Sequence, residues 1–454
     1  MPQFFRRLSR LPFAFTCLLA CALSFGAAVA PTSAFGEQRM SDVVLGKTAQ
    51  SRGIAATELP DIGAPRAIVM SQDGTTYFER DADTPVIIAS ITKVMTAIVA
   101  LENSQLTDIV TVDHTAATVG ESSAGLREGD TLTMEAALRG LLIPSGNDAA
   151  LAIASTVGHQ LDPTAADPVA AFVAAMNTKA QALGCKDTLF ENPHGLDFDA
   201  WAGNMHSTAR DVAIMFAHAM KNETFRSIVG SQATDLTVTG ADGAQRQIPQ
   251  AMHNVLLGQD GNIGGKTGTT GDAGCCLVSA YAQDTGGEIY VVVLGADTND
   301  QRFADTAALG RWYYSHLANV PIVNTKVTLG KQPVIGRAVL TDWTDRSAAV
   351  TVADPAQTVQ VFSLAGKLEQ KVELRELAGA VQTGQDAGTL AYTQDGNEVA
   401  SVSLVTAESH EAPSPLEWIM VQVDRLVRRF EGKPGTAEEQ VFNTAPDPLA
   451  YDAA

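Results

Sequence analysis

The spacing of apolar positions divides the chain into strands, a long helical middle, a return to strands, and a final isolated helix. Arg66–Met70 and Thr75–Phe78 flank Asp73-Gly74, which predicts a hairpin. From Ser90 to Glu102, Ile91, Val94, Met95, Ile98 and Leu101 recur at helical spacing. Apolar residues surround most of that helix, so it is expected to be central and buried. Further helices are predicted at Thr133–Leu142, Asp148–Val157, Pro168–Leu183 and Ala209–Met220. Strands return at Cys275–Gln283 and Glu288–Leu294 around Gly286-Gly287, and a helix at Phe303–Leu317 closes the region. Strands at both ends with helices between them predict an α+β fold whose sheet pairs N- and C-terminal strands.

Beyond Pro321 the helical period disappears. Short runs at Val350–Val352, Thr358–Phe362, Leu390–Tyr392 and Glu398–Leu404, with a turn at Asp395-Gly396-Asn397, predict a small all-β domain over 321–408. After Pro413 and Pro415, Leu416, Ile419, Met420, Val423, Leu426, Val427 and Phe430 form one helical stripe, opposed by Glu417, Gln422, Asp424, Arg425, Arg428 and Arg429. Such a helix at 416–430 suits a membrane surface or a partner, the alternative being that it packs back on the β-domain. The rest of 409–454 is expected to be a disordered tail.

Composition changes this picture little, and charge only narrows it. Of 454 residues, 45% are hydrophobic and 18% charged, as in ordinary globular proteins. The net charge of -20 argues against a nucleic-acid partner, which needs clustered Lys and Arg. Arg6, Arg7 and Arg10 precede an apolar run from Leu11 to Ala30, so 1–36 is expected to be an export signal. That run is also long enough for an uncleaved anchor. The expected location is the outer face of the cytoplasmic membrane. Cys185, Cys275 and Cys276 remain outside the signal, too few and too oddly placed for a disulfide framework. Cys275 and Cys276 are adjacent and point to opposite faces of a strand, so buried apolar roles are expected.

Three motifs carry chemistry, and their order and wide separation make the signal strong. Ser90-Ile91-Thr92-Lys93 opens the buried helix, Ser145-Gly146-Asn147 lies in a turn between helices, and Lys266-Thr267-Gly268 lies in a glycine-rich segment. A serine hydroxyl attacks poorly until a base takes its proton. Lys93, one helical turn on, can supply that base if burial and a second cation such as Lys266 keep its amine neutral. Asn147 could bond a substrate amide or the Lys93 amine. Asp148 reads as a helix-start residue. The Lys266 segment is no phosphate loop, since Asp260 stands where that pattern requires glycine. A glycine-rich edge strand approaching a peptide fits it better.

The motif set resembles that of the penicillin-recognising serine enzymes. Within that group, 64–318 is similar to the low-molecular-mass D-alanyl-D-alanine carboxypeptidases, through Ala89–Thr96, Ser122–Asp130, Ile143–Ala150, Asn192–Asp197 and Ser207–Asp211. The resemblance implies a β-lactamase/transpeptidase-like catalytic domain over 37–320, followed by a β-module and a membrane-associated helix. It also implies peptidoglycan stem peptides as substrate, β-lactam antibiotics as ligands, and no metal or cofactor. Carried over residue by residue, Ser90 is the acylated nucleophile, Lys93 its base, and Ser145 a proton relay. Asn147 holds substrate, Lys266, Thr267 and Gly268 belong to the carboxylate-binding strand, Thr269 joins Ser90 in the oxyanion hole, and Arg302 docks the carboxylate. His194 reads as structural. Thr269 stands where several relatives carry histidine. The rival readings are a D,D-endopeptidase of the same fold and a non-catalytic wall-binding or penicillin-sensing protein.

Overall fold

The structure, a computed structural model, describes residues 39–451. The signal segment 1–36 lies outside the described residues. An antiparallel seven-stranded sheet is built from β1 (Val43–Val44), β2 (Lys47–Thr48), β3 (Arg66–Ser71), β4 (Thr76–Arg80), β9 (Asn262–Thr270), β10 (Gly274–Gln283) and β11 (Gly287–Ala296), in the order β2-β1-β4-β3-β11-β10-β9. The pairing of β3 with β11, Val69 opposite Val291, joins the two ends of the region as the sequence predicts. β10 and β11 are continuous apolar runs because both faces of the sheet are covered. Cys276 faces the helical core on one side and Cys275 the smaller core on the other, both as free thiols.

The helical layer holds α1 (Lys93–Asn103), α2 (Met134–Leu142), α3 (Asn147–Leu161), α4 (Pro168–Ala182) and α5 (Ala209–Ala219). α1 is buried from Lys93 to Ala100, so it forms the axis of this layer. α6 (Asn299–Ser315) covers the opposite face of the sheet through Leu309, Trp312 and Tyr313. A four-stranded sheet, ordered β5 (Ile109–Thr111), β6 (Thr131–Thr133), β7 (Ala233–Thr239) and β8 (Gln245–Ala251), was not anticipated. Its longest hairpin alternates weakly and is largely polar and exposed, which hides a strand period.

The β-rich part begins with β12 (Leu317–Pro321), a little before the expected boundary, because β12 pairs with Thr358–Phe362. Its main sheet has six antiparallel strands. Leu368–Leu374, Asp386–Gln394, Asn397–Thr406, Ser347–Val352, Gly336–Val339 and Gln440–Val441 follow in that spatial order. α7 (Pro415–Phe430) opens with a capping box between Ser414 and Glu417. It touches the β-domain by Val421 and by the Thr344–Asp424 and Arg425–Thr341 hydrogen bonds. Its apolar stripe stays outside, with Leu416 71% and Phe430 84% exposed.

The expected disordered tail is corrected by the structure. After α7 the chain returns to pair Val441 with Gly336. Asn443 is buried, donating from Nδ2 to the Tyr392 hydroxyl at 2.7 Å and accepting the Asn324 N–H at 2.7 Å. Backbone pairing and a buried amide replace the apolar pattern that would have marked order, so hydropathy missed it.

Candidate active site

The nucleophile segment begins in a 3₁₀ turn, Ala89–Thr92, that passes into α1 at Lys93. Three residues per turn stack positions i and i+3 more closely than an α-helix does, which sets Lys93 over Ser90. Lys93 Nζ donates to Ser90 Oγ at 2.8 Å, to Asn147 Oδ1 at 2.7 Å and to the His194 carbonyl at 2.7 Å. The amine is fully buried, and burial first, then the nearby Lys266 charge, hold its pKa well below the usual lysine value. Asp148 opposes that shift.

Ser145 stands at the mouth of α3 with φ +65°, a left-handed conformation that costs a non-glycine residue energy. Lys266 Nζ donates to Ser145 Oγ at 2.8 Å and to the Thr267 carbonyl at 2.6 Å. Burial, assisted by Arg302, lowers the Lys266 pKa to about 7. The two lysines thus meet the two hydroxyls, Lys93 with Ser90 and Lys266 with Ser145.

β9 lies at the edge of the seven-stranded sheet, so one of its backbone sides has no strand partner there. Strand alternation turns Lys266 and Gly268 toward the helical layer and Thr269 toward α6. A Cβ at Gly268 would lie 2.7 Å from the Ile88 carbonyl and 3.0 Å from the Ser90 amide nitrogen. Glycine therefore lets β9 run hard against the nucleophile turn. Gly268→Ala is expected to push the two apart and slow penicillin acylation about a hundredfold, measured by stopped-flow labelling. A wild-type rate would mean that this close approach is irrelevant to the site.

Arg302, at the start of α6, is almost wholly buried behind β9. Its Nη1 donates to the Gly268 carbonyl at 3.0 Å and to Thr269 Oγ1 at 2.8 Å. Arg302 thus backs the strand that carries Lys266 and Thr267. Thr270 Oγ1 donates to Asp197 Oδ2 at 2.6 Å, tying the end of β9 to the Asn192–Asp197 loop.

The three motifs converge, then, with Ser90, Lys93, Ser145, Asn147 and Lys266 in direct hydrogen-bonded pairs and Thr267, Gly268, Thr269 and Arg302 along β9. The His194 side chain is buried, accepting the Leu196 N–H at Nδ1, and burial lowers its pKa to about 3. Only its backbone carbonyl reaches Lys93. Sequence reasoning missed that carbonyl and those of Gly120 and Ser122, which bond Asn147. Backbone groups leave no side-chain signature. It also missed the reach of Asp148, whose only sequence signal is a carboxylate beside the apolar run from Ala149 to Ala154.

The chain is similar to known proteins. A family model described as D-alanyl-D-alanine carboxypeptidase matches residues 54–298. The D-alanyl-D-alanine carboxypeptidase DacC of Escherichia coli K12 is 30% identical over 372 residues, 78% of this chain and 86% of that relative. The crystal structure of the Streptomyces K15 DD-transpeptidase is 32% identical, with a TM-score of 0.52 covering 56% of this chain and 97% of that one. D-alanyl-D-alanine carboxypeptidase DacD from Francisella tularensis, 24% identical, shares the fold over 78% of this chain and 95% of its own, with a TM-score of 0.53. With more than half of the chain matched by that model, and a relative this similar spanning most of its length, the protein belongs to the D-alanyl-D-alanine carboxypeptidase family.

Proposed function

We propose that this protein is a serine carboxypeptidase that removes the terminal D-alanine from peptidoglycan stem peptides and is acylated by penicillins at the same serine. The observation that carries the mechanism is the 2.8 Å contact between Ser90 Oγ and a buried Lys93 amine whose pKa burial holds well below the usual lysine value. Neutral Lys93 takes the Ser90 proton as the oxygen attacks the carbonyl between the two D-alanines. The backbone N–H groups of Ser90 and Thr269 receive the developing oxyanion. Ser145, bonded to Lys266, passes a proton to the departing amine as the C–N bond breaks. D-Alanine leaves, and water then cleaves the Ser90 ester to free the shortened peptide. Lys266 and Thr267 supply the hydrogen-bonding wall for the terminal carboxylate, and Arg302 adds positive charge from behind the strand. Asn147 holds both Lys93 and the substrate backbone. Along the free edge of β9 the peptide adds as a strand.

Incubation with diacetyl-lysyl-D-alanyl-D-alanine should release free D-alanine, and a penicilloyl adduct should map by mass spectrometry to the peptide containing Ser90. An adduct without release would favour a penicillin sensor. Cleavage of cross-linked dimers alone would favour an endopeptidase. Neither adduct nor release would overturn the reading.

The lysine pair sets the pH dependence. Substrate carboxylate needs charged Lys266, so kcat/KM should fall with loss of one proton near pH 7, where its lowered pKa lies. In kcat that limb should move to higher pH, because a bound carboxylate favours the ammonium. Stability carries the opposite sign. Unfolded Lys266 takes up a proton up to its ordinary value of 10.5, so this residue makes folding more favourable as pH rises from about 7 toward that value. A kcat/KM flat to pH 9 would remove Lys266 from the binding step.

The apolar stripe of α7, followed by Arg428 and Arg429 in its last turn, supports attachment to an anionic membrane surface on the outer side of the cytoplasmic membrane. No helix among the described residues is long and apolar enough to cross a membrane. Met420→Glu with Phe430→Glu should abolish sedimentation with phosphatidylglycerol vesicles while leaving D-alanine release unchanged. Retained sedimentation would place the attachment elsewhere.

A further inference from the structure

Asp148 is a charged residue with 2% exposure, and no step of the proposed reaction uses it. Both of its oxygens are saturated. Oδ1 accepts the backbone N–H groups of Ala124 and Ala149, each at 2.8 Å. Oδ2 accepts the Ser123 hydroxyl at 2.6 Å and the Leu126 N–H at 3.1 Å. Three of these four donors belong to the turn at 123–126, and Ser123 Oγ accepts the Gly125 N–H at 2.8 Å within it. A carboxylate that gathers several N–H groups of one turn fixes its shape, because each donor would otherwise be buried without a partner.

The turn's own carbonyls at Ala124 and Gly125 accept from Gln250 and Arg246, and the residues just before it reach Asn147. The Ser122 carbonyl accepts the Asn147 N–H at 2.8 Å, and the Gly120 carbonyl accepts from Asn147 Nδ2 at 3.0 Å. A carbonyl can only accept, so Gly120 determines which end of the Asn147 amide faces it. The other end, Oδ1, is thereby aimed at Lys93 Nζ. We propose that Asp148 is a positioning residue for acylation: its carboxylate fixes the 123–126 turn and thereby the adjoining Gly120 and Ser122 carbonyls that lock Asn147, and Asn147 in turn holds Lys93 against Ser90. This inference rests on the reading of Ser90 and Lys93 given above.

The same carboxylate has an electrostatic consequence that distinguishes positioning from simple support. The charged and titratable groups facing Lys93 are Lys266 from β9, Asp148 from α3, His194 from its loop and His253 from the segment leading into β9. Asp148 favours the ammonium form, whereas Lys266 disfavours it. Neutralising Asp148 removes the one carboxylate among these groups, so the amine should lose its proton at lower pH.

The test uses the full chain, a fluorescent penicillin and the D-alanyl-D-alanine tripeptide, with wild type in parallel. Asp148→Asn keeps the volume and removes the charge, while its NH2 group can no longer accept two of the four bonds. It should slow acylation roughly tenfold or more and move the acid limb of kcat/KM to lower pH, whereas a purely structural role would leave the limb in place. Ser123→Ala keeps the charge and removes one bond to it. It should slow acylation severalfold with an unmoved limb. A folded Asp148→Asn with wild-type rate and limb overturns the inference. If that variant does not fold, Ser123→Ala decides: slowed acylation supports the inference, and a wild-type rate overturns it. Failure of wild type to be acylated would instead remove the reading beneath it.

Discussion

Lys93→Met is expected to lower acylation of Ser90 by about a thousandfold, with Lys93→Arg nearly as damaging. Methionine matches the length and flexibility of lysine but offers no base. Its substitution leaves Asn147 Oδ1 and the His194 carbonyl without the donor they share. Each buried acceptor left unpaired costs about 1–3 kcal/mol, partly offset because an amine whose charging is strongly disfavoured is no longer buried. Arginine keeps donors and volume, but it stays protonated at every accessible pH and cannot accept the Ser90 proton. A failure of both variants while circular dichroism stays native would separate loss of the base from loss of the fold. An arginine variant within tenfold of wild type would show that Lys93 serves as a hydrogen-bond donor only.

Gly195→Ala should be the most damaging single-methyl change near the site. Gly195 has φ +92°, and a Cβ there would lie 2.0 Å from the Ala89 carbonyl and 3.0 Å from the Ser90 amide nitrogen. Ala89 is itself held at φ +48°, so the turn that presents Ser90 is already strained and has little freedom to retreat. The expected loss is about 3–4 kcal/mol, from left-handed strain and backbone overlap together, with penicillin labelling lost in parallel. Gly184→Ala is the control. It has φ +83° and open space around the new methyl, so it carries the strain without the overlap. Denaturant midpoints and labelling rates for the two variants isolate the overlap. Equal losses in both would mean that contact with the nucleophile turn is unimportant.

Much of the fold and the chemistry was legible in local patterns. The β3–β4 hairpin, the helices and the β10–β11 hairpin followed from apolar period because each buries one strong face or a continuous run. Ser90, Lys93, Ser145 and Lys266 stood out because their residue types and motif spacings are chemically specific. The polar hairpin Ala233–Ala251 and the return of Gln440–Val441 to the β-sheet were not legible. Their order depends on backbone pairing with distant strands, and hydropathy does not record which strand a backbone will find.

By itself the sequence determined that a serine and a lysine would lie one turn apart at the start of a buried helix, with a second lysine on a glycine-rich strand. Only the tertiary structure decided that the second lysine would meet Ser145. It alone decided that Asn147 would be held by the Gly120 and Ser122 carbonyls, beside a turn whose N–H groups Asp148 gathers. The physical reason is range. Helical period and motif spacing act between neighbours in the chain, whereas burial and charge act between groups that folding brings together from far apart.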